Sequence, residues 1–320
     1  MPVKQRITII GQQGSSVAHS LLQNPDFRVR CITRDAQSEV ARAFQSLGAE
    51  VLEADVGVFE GMKIALHETW GLFVNLPTEF FPDAVAIALG TNIIRAAEAV
   101  GVKHVVFSSA PHASKLTNGR VCFNSLDVKA EIEEIAQASP LFKTFTPVMV
   151  GWYLENIGET FADLYGGFPV RKDAEGITEC RLPLWGGNEE MPWISVKDDF
   201  GDLVHGVFLN PLRWNRRVIQ CQAELMSAGD MTTTFSAVTG QKTRYAPCID
   251  MADLKPGMFE GIQKMFQYTQ LREGEYYPNG PSEVQTAAHL KRVAARAKKG
   301  HARETLLTVR EYFEREWTSH

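Results

Sequence analysis

The stretch GQQGSSV at residues 11–17 follows an apolar run from Ile7 to Ile10 and precedes Val17, Ala18, Leu21 and Leu22 at helical spacing. Gly11 permits a tight turn, Gly14 lets backbone approach a bulky anion, and free amides at a helix N-terminus present partial positive charge to it. Gln12 and Gln13 complete the turn, and Ser15 and Ser16 add hydroxyl donors. This is chemistry for holding a pyrophosphate. Roughly twenty residues on, the second apolar run closes on Cys31, Ile32, Thr33 and Arg34, where a dinucleotide fold reads the adenosine ribose. A carboxylate there suits a free 2′-hydroxyl; an arginine favours a 2′-phosphate through a charge-assisted contact, so the expected cofactor is NADP(H). Asp35 follows directly, and an exposed ion pair is the competing use of the guanidinium. Val17 stands where a third glycine would allow close packing of helix on strand, which predicts a helix shifted outward or weaker binding.

Two further side chains can move protons. His112 lies just past the run SSAP and is of the residue type best matched to proton transfer at neutral pH, and Tyr153 opens a segment rich in aromatic, proline and glycine residues. That segment and its surroundings carry Phe123, Trp152, Tyr153, Phe161, Tyr165, Phe168, Trp185 and Trp193, a density that suits a cleft for a large, flat, apolar ligand. Core packing accounts for many of them equally well. Phe123 and Trp152 are the candidate apolar contacts, with Asn124 and Asn156 as orienting hydrogen-bonding groups.

The elements that must position these residues alternate in the first half of the chain. Apolar runs at Ile7 to Ile10, Arg28 to Ile32, Glu50 to Glu53, Gly71 to Asn75, Val102 to Phe107 and Phe142 to Pro147 read as strands separated by amphipathic stretches. The helix from Pro82 to Val100 has the broadest apolar face, from Val85, Ile87, Ala88, Leu89, Ile93, Ile94 and Ala97, and Gly101 is placed to cap it. Six strands in this rhythm predict an α/β fold with a doubly wound parallel sheet, of Rossmann type. The rhythm breaks after Val150, where a smaller, mainly C-terminal α+β substrate lobe is expected. SVKDDFGDLVHGVFLNP returns to a strand containing Val196 and then a helix. The expected organisation is a dinucleotide-binding domain over residues 1–150, completed by roughly 193–222, and a substrate or partner lobe over 151–192 and 223–320. Beyond these lie a helix from Asp230 to Val238, a strand from Lys242 to Ala246, helices at Lys255 to Tyr268 and Ser282 to Lys298, and a last helix from Arg303 to Trp317.

Composition narrows the function classes. With 320 residues, 44% hydrophobic and 22% charged, the chain has ample material for a core. A formal net charge of −5 argues against direct nucleic-acid binding. The basic stretch from Lys291 to Lys299 is interleaved with alanine at helical spacing, the pattern of a solvated helix face. Five scattered cysteines, without paired histidines or two-residue spacing, argue against a metal site and for a reducing compartment. No run reaches transmembrane length and the N-terminal apolar segment is short for a secretory signal, so the expected setting is cytoplasmic, away from the membrane.

In order along the chain, GQQGSSV, ITRD, GAEVLEADV, GLFVN, KHVVFSSAP, the lysine of FNSLDVKAEIEE and PWISVKDDFGDLV resemble the NmrA-like group of atypical short-chain dehydrogenases. The likeness is densest over residues 5–210, with Gln12, Gln13 and Val17 where that group usually has Ala, Thr and Gly. It implies that GQQGSSV holds the pyrophosphate and Arg34 meets the adenosine phosphate. Asp55 and Val56 would border the adenine, Asn75, Leu76 and Pro77 the ribose, and Ser108 and Ser109 the nicotinamide. Orthodox short-chain dehydrogenases place a tyrosine four residues before a lysine, on one helical face. Here Lys129 is present but Ser125 stands at the tyrosine's position, so Lys129 would hold the nicotinamide ribose or orient a substrate carbonyl, unless it pairs with Glu133 one turn on. The proton donor then falls to His112, Tyr153 or an ordered water. The resemblance implies an NADPH-dependent reductase acting on a small-molecule substrate, a bulky apolar metabolite of secondary metabolism. Two alternatives stand beside it: a non-catalytic NADP(H) sensor with a protein partner, and an isomerase or cyclase using the cofactor without net turnover.

Overall fold

The computed structural model describes residues 4–11, 13–248 and 260–318. Strands and helices alternate first as β1 Gln5–Ile10, α1 Gly14–Leu22, β2 Phe27–Thr33, α2 Glu39–Ser46, β3 Glu50–Glu53, α3 Phe59–Ala65, β4 Gly71–Val74, α4 Asp83–Ala99, β5 His104–Ser109, α5 Ala113–Leu116, α6 Asn124–Gln137 and β6 Thr144–Val150. There follow β7 Trp152–Tyr153, β8 Thr178–Cys180, β9 Met191–Ile194, α7 Gly201–Leu209, α8 Pro211–Trp214, β10 Ile219–Cys221, β11 Glu224–Met226, α9 Ala228–Thr239, β12 Thr243–Tyr245, α10 Glu260–Leu271, α11 Gln285–Ala297 and α12 Val309–Trp317.

Seven strands form one parallel sheet in the order β10-β6-β5-β4-β1-β2-β3, a doubly wound Rossmann sheet whose order reverses between β1 and β4. The central strands read as continuous apolar runs because helices cover both faces; β5 and β6 are buried along their full length. One face is covered by α1, α7 and α11, through Val17, Leu21, Leu203, Val204 and Leu290. The other is covered by α3, α4 and α6, where Gly90 of α4 leaves room for Ile132 of α6: a Cβ at 90 would stand 2.7 Å from the isoleucine Cδ1. Gly101 ends α4 in the left-handed conformation, φ +74°, as its position predicts. The buried face of that helix is Ala86, Gly90, Ile93, Ile94, Ala96 and Ala97, while Val85 is left exposed.

The later segments build a third core around Trp152, Tyr165, Phe168, Trp185, Trp193, Phe235, Phe266 and Tyr277, with β7, β9 and β11 in a second sheet and β8 paired with β12. The strand expected at Val196 ends earlier, at Ile194, and Val196–Phe200 is a turn of π-helix leading into α7. Glu155 explains this: its carboxylate accepts from the Val196 and Lys197 N–H groups and from Ser195 Oγ, satisfying the amides a strand would have paired. The last helix starts at Val309 rather than Arg303, because Thr308 and Glu311 form a capping box there. The expected helix from Lys255 falls partly outside the described residues, and α10 is described from Glu260.

The stretch after Lys291 departs most from a solvated helix face. Lys291 is 3% exposed, and its Nζ lies 2.9 Å from Asp199 and 2.8 Å from Asp202 while donating to the Asp198 carbonyl. Lys298 also reaches Asp202, and Ser20 of α1 donates to the same carboxylate at 2.5 Å. Burial pushes the Asp202 carboxyl up, but Lys291 and Lys298 outweigh it and hold the group below the usual carboxylate range. For Asp199 burial wins, and its carboxyl is raised. A cation paired with two buried carboxylates cannot be removed without leaving unpaired charge in the interior, so Lys291→Ala should destabilise the chain by about 3–5 kcal/mol in denaturant unfolding; a loss under about 1 kcal/mol would show the cluster to be redundant.

Two buried imidazoles set the acid limit. His205 of α7 lies within hydrogen-bonding reach of Ser20 and Asn24, and His104 of Thr144. Burial lowers both from 6.5 to about 4. The unfolded chain therefore takes up protons before the folded one does. Stability should be full above pH 6.5 and fall as pH drops toward 4, by up to roughly 1.4 kcal/mol per pH unit for each ring. Denaturant melts at a series of pH values test this, and a flat profile across that window in the parent chain refutes it.

Candidate functional site

At the strand ends where the order reverses lies a groove of about 810 Å³, lined by Gly11, Gly14 and Ser15 on one side and Asn75, Leu76 and Pro77 on the other. Gly11 sits at φ +101°, and a Cβ on it would stand 1.7 Å from the Asn75 carbonyl oxygen, so only glycine passes between β1 and the loop after β4. The helix it leads into, α1, has no side chain capping its N-terminus and no acidic residue in its first turn; the Gly14 N–H donates to the Gly11 carbonyl at 2.9 Å, and the amides that follow are left for a ligand. Gly14 supplies the close helix–strand packing expected of position 17: a Cβ there would lie 2.5 Å from Ile9 Cγ2. Val17, one turn along, is fully buried in the core and needs no outward shift of the helix. Ser16 also turns away, its Oγ accepting from the Gly201 N–H at 2.9 Å. Gln12 lies outside the described residues.

Arg34, Thr33 and Ser38 line the far end of this groove. Arg34 is exposed and, among the described residues, has no acidic partner within ion-pair distance. The two nearby carboxylates are engaged elsewhere, since Asp35 accepts from the Gln37 N–H at 2.8 Å and Glu53 from the Ala36 N–H at 3.2 Å. Burial pushes the Cys31 thiol on the groove wall up to about 12, so it adds no negative charge. Val40, Phe44, Val56 and Phe80 make the walls apolar. Asp55 is not on the wall; its Oδ1 accepts from the Gly57 N–H and starts the turn into α3. These residues fit a phosphorylated dinucleotide: glycine backbone and helix amides for the pyrophosphate, an available guanidinium for a further phosphate, and apolar walls for a base.

A second cavity, of about 350 Å³, opens beyond the ends of β5 and β6. It brings together Ser108, Ser109, Ser125, Lys129, Trp152, Tyr153 and Asn156 with Gln13 from the glycine loop. Ser125 and Lys129 share a face one helical turn apart. Behind this wall sits Glu133, its carboxyl pushed up to about 7 by burial, with contacts to Ser109 and Gln137 opposing the shift. Trp152 is pinned by donating from Nε1 to Tyr165 Oη at 2.7 Å.

Three other residues expected at the site lie off its walls. His112 Nδ1 is 3.0 Å from Asp127 Oδ1, a carboxylate that also accepts from the Ser114 and Phe123 N–H groups. Asn124 donates to Asp83 at 2.7 Å and ties α6 to α4, and Phe123 packs against the third core. Of the eight aromatic residues in the expected cleft, only Trp152 and Tyr153 line the cavity; Tyr165, Phe168, Trp185 and Trp193 are core, and Phe161 is exposed. Ile262, Met265 and Tyr276 complete the lining from the C-terminal part of the chain. Their only trace in the sequence is apolar spacing along α10 and the Tyr276–Tyr277 pair, neither of which points to a cavity formed over a hundred residues away.

Comparison with known proteins agrees with this architecture. The NmrA-like family oxidoreductase himF of Aspergillus japonicus is 45% identical over 304 residues, spanning 92% of each chain. The NmrA-like family oxidoreductase lnaB of Aspergillus flavus is 40% identical over 335 residues, spanning 98% of each. A crystal structure of NmrA, a negative transcriptional regulator, in complex with NADP superposes with a TM-score of 0.71 at 18% identity, over 99% of this chain and 96% of that one. The NmrA-like family model matches residues 3–300. With the reversed strand order, the glycine turn and this run of similarity from end to end, the chain belongs to the NmrA-like family.

Proposed function

We propose that this chain is an NADP(H)-dependent oxidoreductase that reduces a bulky, apolar organic metabolite in fungal-type secondary metabolism. The observation that carries the reading is the pairing of two adjoining sites: a groove with an available guanidinium at Arg34, and a cavity holding Lys129 and Tyr153 at the strand ends beside it. Support comes also from the relatives named as oxidoreductases.

In this reading residues 1–150, completed by 193–222, hold the cofactor, and 151–192 with 223–320 hold the substrate. Gly11, Gly14, Ser15 and the first amides of α1 hold the pyrophosphate, Arg34 the 2′-phosphate, Val56 the adenine, and Asn75, Leu76 and Pro77 the adjoining ribose. Bound NADPH supplies a hydride. Ser108 and Ser109 flank the transfer site, and Lys129 orients the substrate's acceptor atom from the face it shares with Ser125. Tyr153 stands on the wall and can deliver a proton there, whereas His112 reaches it only if its ring leaves Asp127. Trp152, Met265 and Ile262 give the cavity an apolar wall, and Asn156 a polar one. The five cysteines form no disulfide with one another, in keeping with a cytoplasmic setting.

Ser125 at the usual tyrosine position favours one other reading, an NADP(H) sensor that binds without turnover and acts through a protein partner. The two separate on a direct assay. NADPH mixed with the full chain and a panel of carbonyl and imine metabolites should lose its absorbance with at least one of them; binding without oxidation across a broad panel would favour the sensor. The cofactor preference has its own check. Arg34→Ala should weaken NADPH binding by about tenfold or more, a charge-assisted contact being worth about 1.5–3 kcal/mol, and leave NADH binding unchanged in fluorescence titration. Equal losses for both dinucleotides would remove Arg34 from the phosphate site.

A further inference from the structure

The sequence places Gln13 in the phosphate-holding turn, yet its side chain leaves that turn and crosses into the second cavity. Ser108 Oγ donates to Gln13 Oε1 at 2.7 Å, and Gln13 Nε2 donates to Tyr153 Oη at 2.6 Å. Ser108 is 1% exposed at the end of β5, so the hydroxyl that holds the carbonyl end of the amide is itself fixed. With that end held, the amide turns its N–H groups toward the phenol. A phenol oxygen that accepts from Gln13 does not spend its own hydrogen on that contact, and Lys129, Ser109 and Asn156 share its cavity.

We propose that Gln13 is a positioning residue for Tyr153, holding its phenol as the proton donor to the substrate; this rests on the oxidoreductase reading above. When a carbonyl or imine is reduced, hydride adds to carbon and the π pair moves to oxygen or nitrogen. The Tyr153 O–H bond breaks as the new O–H or N–H bond forms, and the pair left on Oη is stabilised by the Gln13 N–H until water returns a proton. Other acids of this region are less suited. Burial raises the Tyr276 phenol far above its ordinary value, and His112 faces Asp127. The arrangement gives a role to a glutamine that phosphate binding leaves unused, and it supplies a tyrosine from β7 where the helix carrying Lys129 offers only Ser125.

Ultraviolet titration of tyrosinate, taken as the difference between the full chain and Tyr153→Phe, isolates this phenol without cofactor or substrate. Gln13→Leu should move its ionisation up by about one pH unit, the worth of one hydrogen bond, and Gln13→Glu, which adds a negative charge, should move it further. NADPH affinity should stay within about threefold of the parent in both. With phenanthrenequinone as the probe carbonyl, kcat should fall about tenfold in Gln13→Leu, and the alkaline limb of its pH profile should move up with the ionisation. Unchanged Tyr153 ionisation in both variants overturns the assignment, whatever the quinone assay gives. So does NADPH affinity that changes in step with kcat, in either direction, because Gln13 would then be a phosphate contact or a barrier in the cofactor's path. A shifted ionisation in a parent chain that turns over no substrate upholds the Gln13–Tyr153 link and counts against the oxidoreductase reading alone.

Discussion

Lys291 is the buried cation on which the arrangement of this molecule depends. Its ammonium pairs with Asp199 and Asp202, two carboxylates brought inside by the turn of π-helix and the first turn of α7, and Lys298 adds a second cation at Asp202. Placed there alone, either acid would face a desolvation penalty of several kcal/mol. The cluster does more than balance charge. Asp202 also holds Ser20 of α1, the helix that begins at the glycine turn, and Asp199 accepts from the Leu307 N–H just before α12. One network therefore fixes the direction of the dinucleotide helix, the return of the chain to the main sheet, and the path of the C-terminal segment.

The groove inherits its shape from that network. Gly201 sits so close to α1 that a Cβ on it would stand 2.0 Å from the Ser16 carbonyl oxygen, while Gly14 lets the same helix lie against Ile9. With α1 held from both sides, Val17 fills the core without disturbing the turn. Packing that looks like a departure from a glycine pattern is thus compensated three residues earlier, where Gly14 provides the clearance.

Features set by local rules were legible in the residues. The apolar runs of the first half became the strands of the doubly wound sheet, Gly101 ended its helix, and Arg34 came to the wall of a groove with Gly11 and Gly14. Those settled by distant partners were not. Lys291 has the spacing of an exposed helix face, and only the carboxylates nearly a hundred residues earlier draw it inward. Gln13 belongs to the turn by position, but its side chain answers to Ser108 and Tyr153. Asp55 and Ser16 carry the right chemistry for a ligand and are consumed by local backbone and by α7 instead. Tyr276, Ile262 and Met265 reach the cavity only through the packing of the third core.

The position of Lys298 just past α11, joined with Lys291 to a carboxylate of α7 and followed by a Lys299 N–H donating to the Gln23 carbonyl, couples the end of the chain to its beginning. The C-terminal segment is not a free appendage, because its lysines and the Lys299 N–H hold α7 and the end of α1. A chain lacking these two lysines would strand Asp202 and loosen the helix under the glycine turn, so the C-terminal segment and the glycine turn are mechanically one unit.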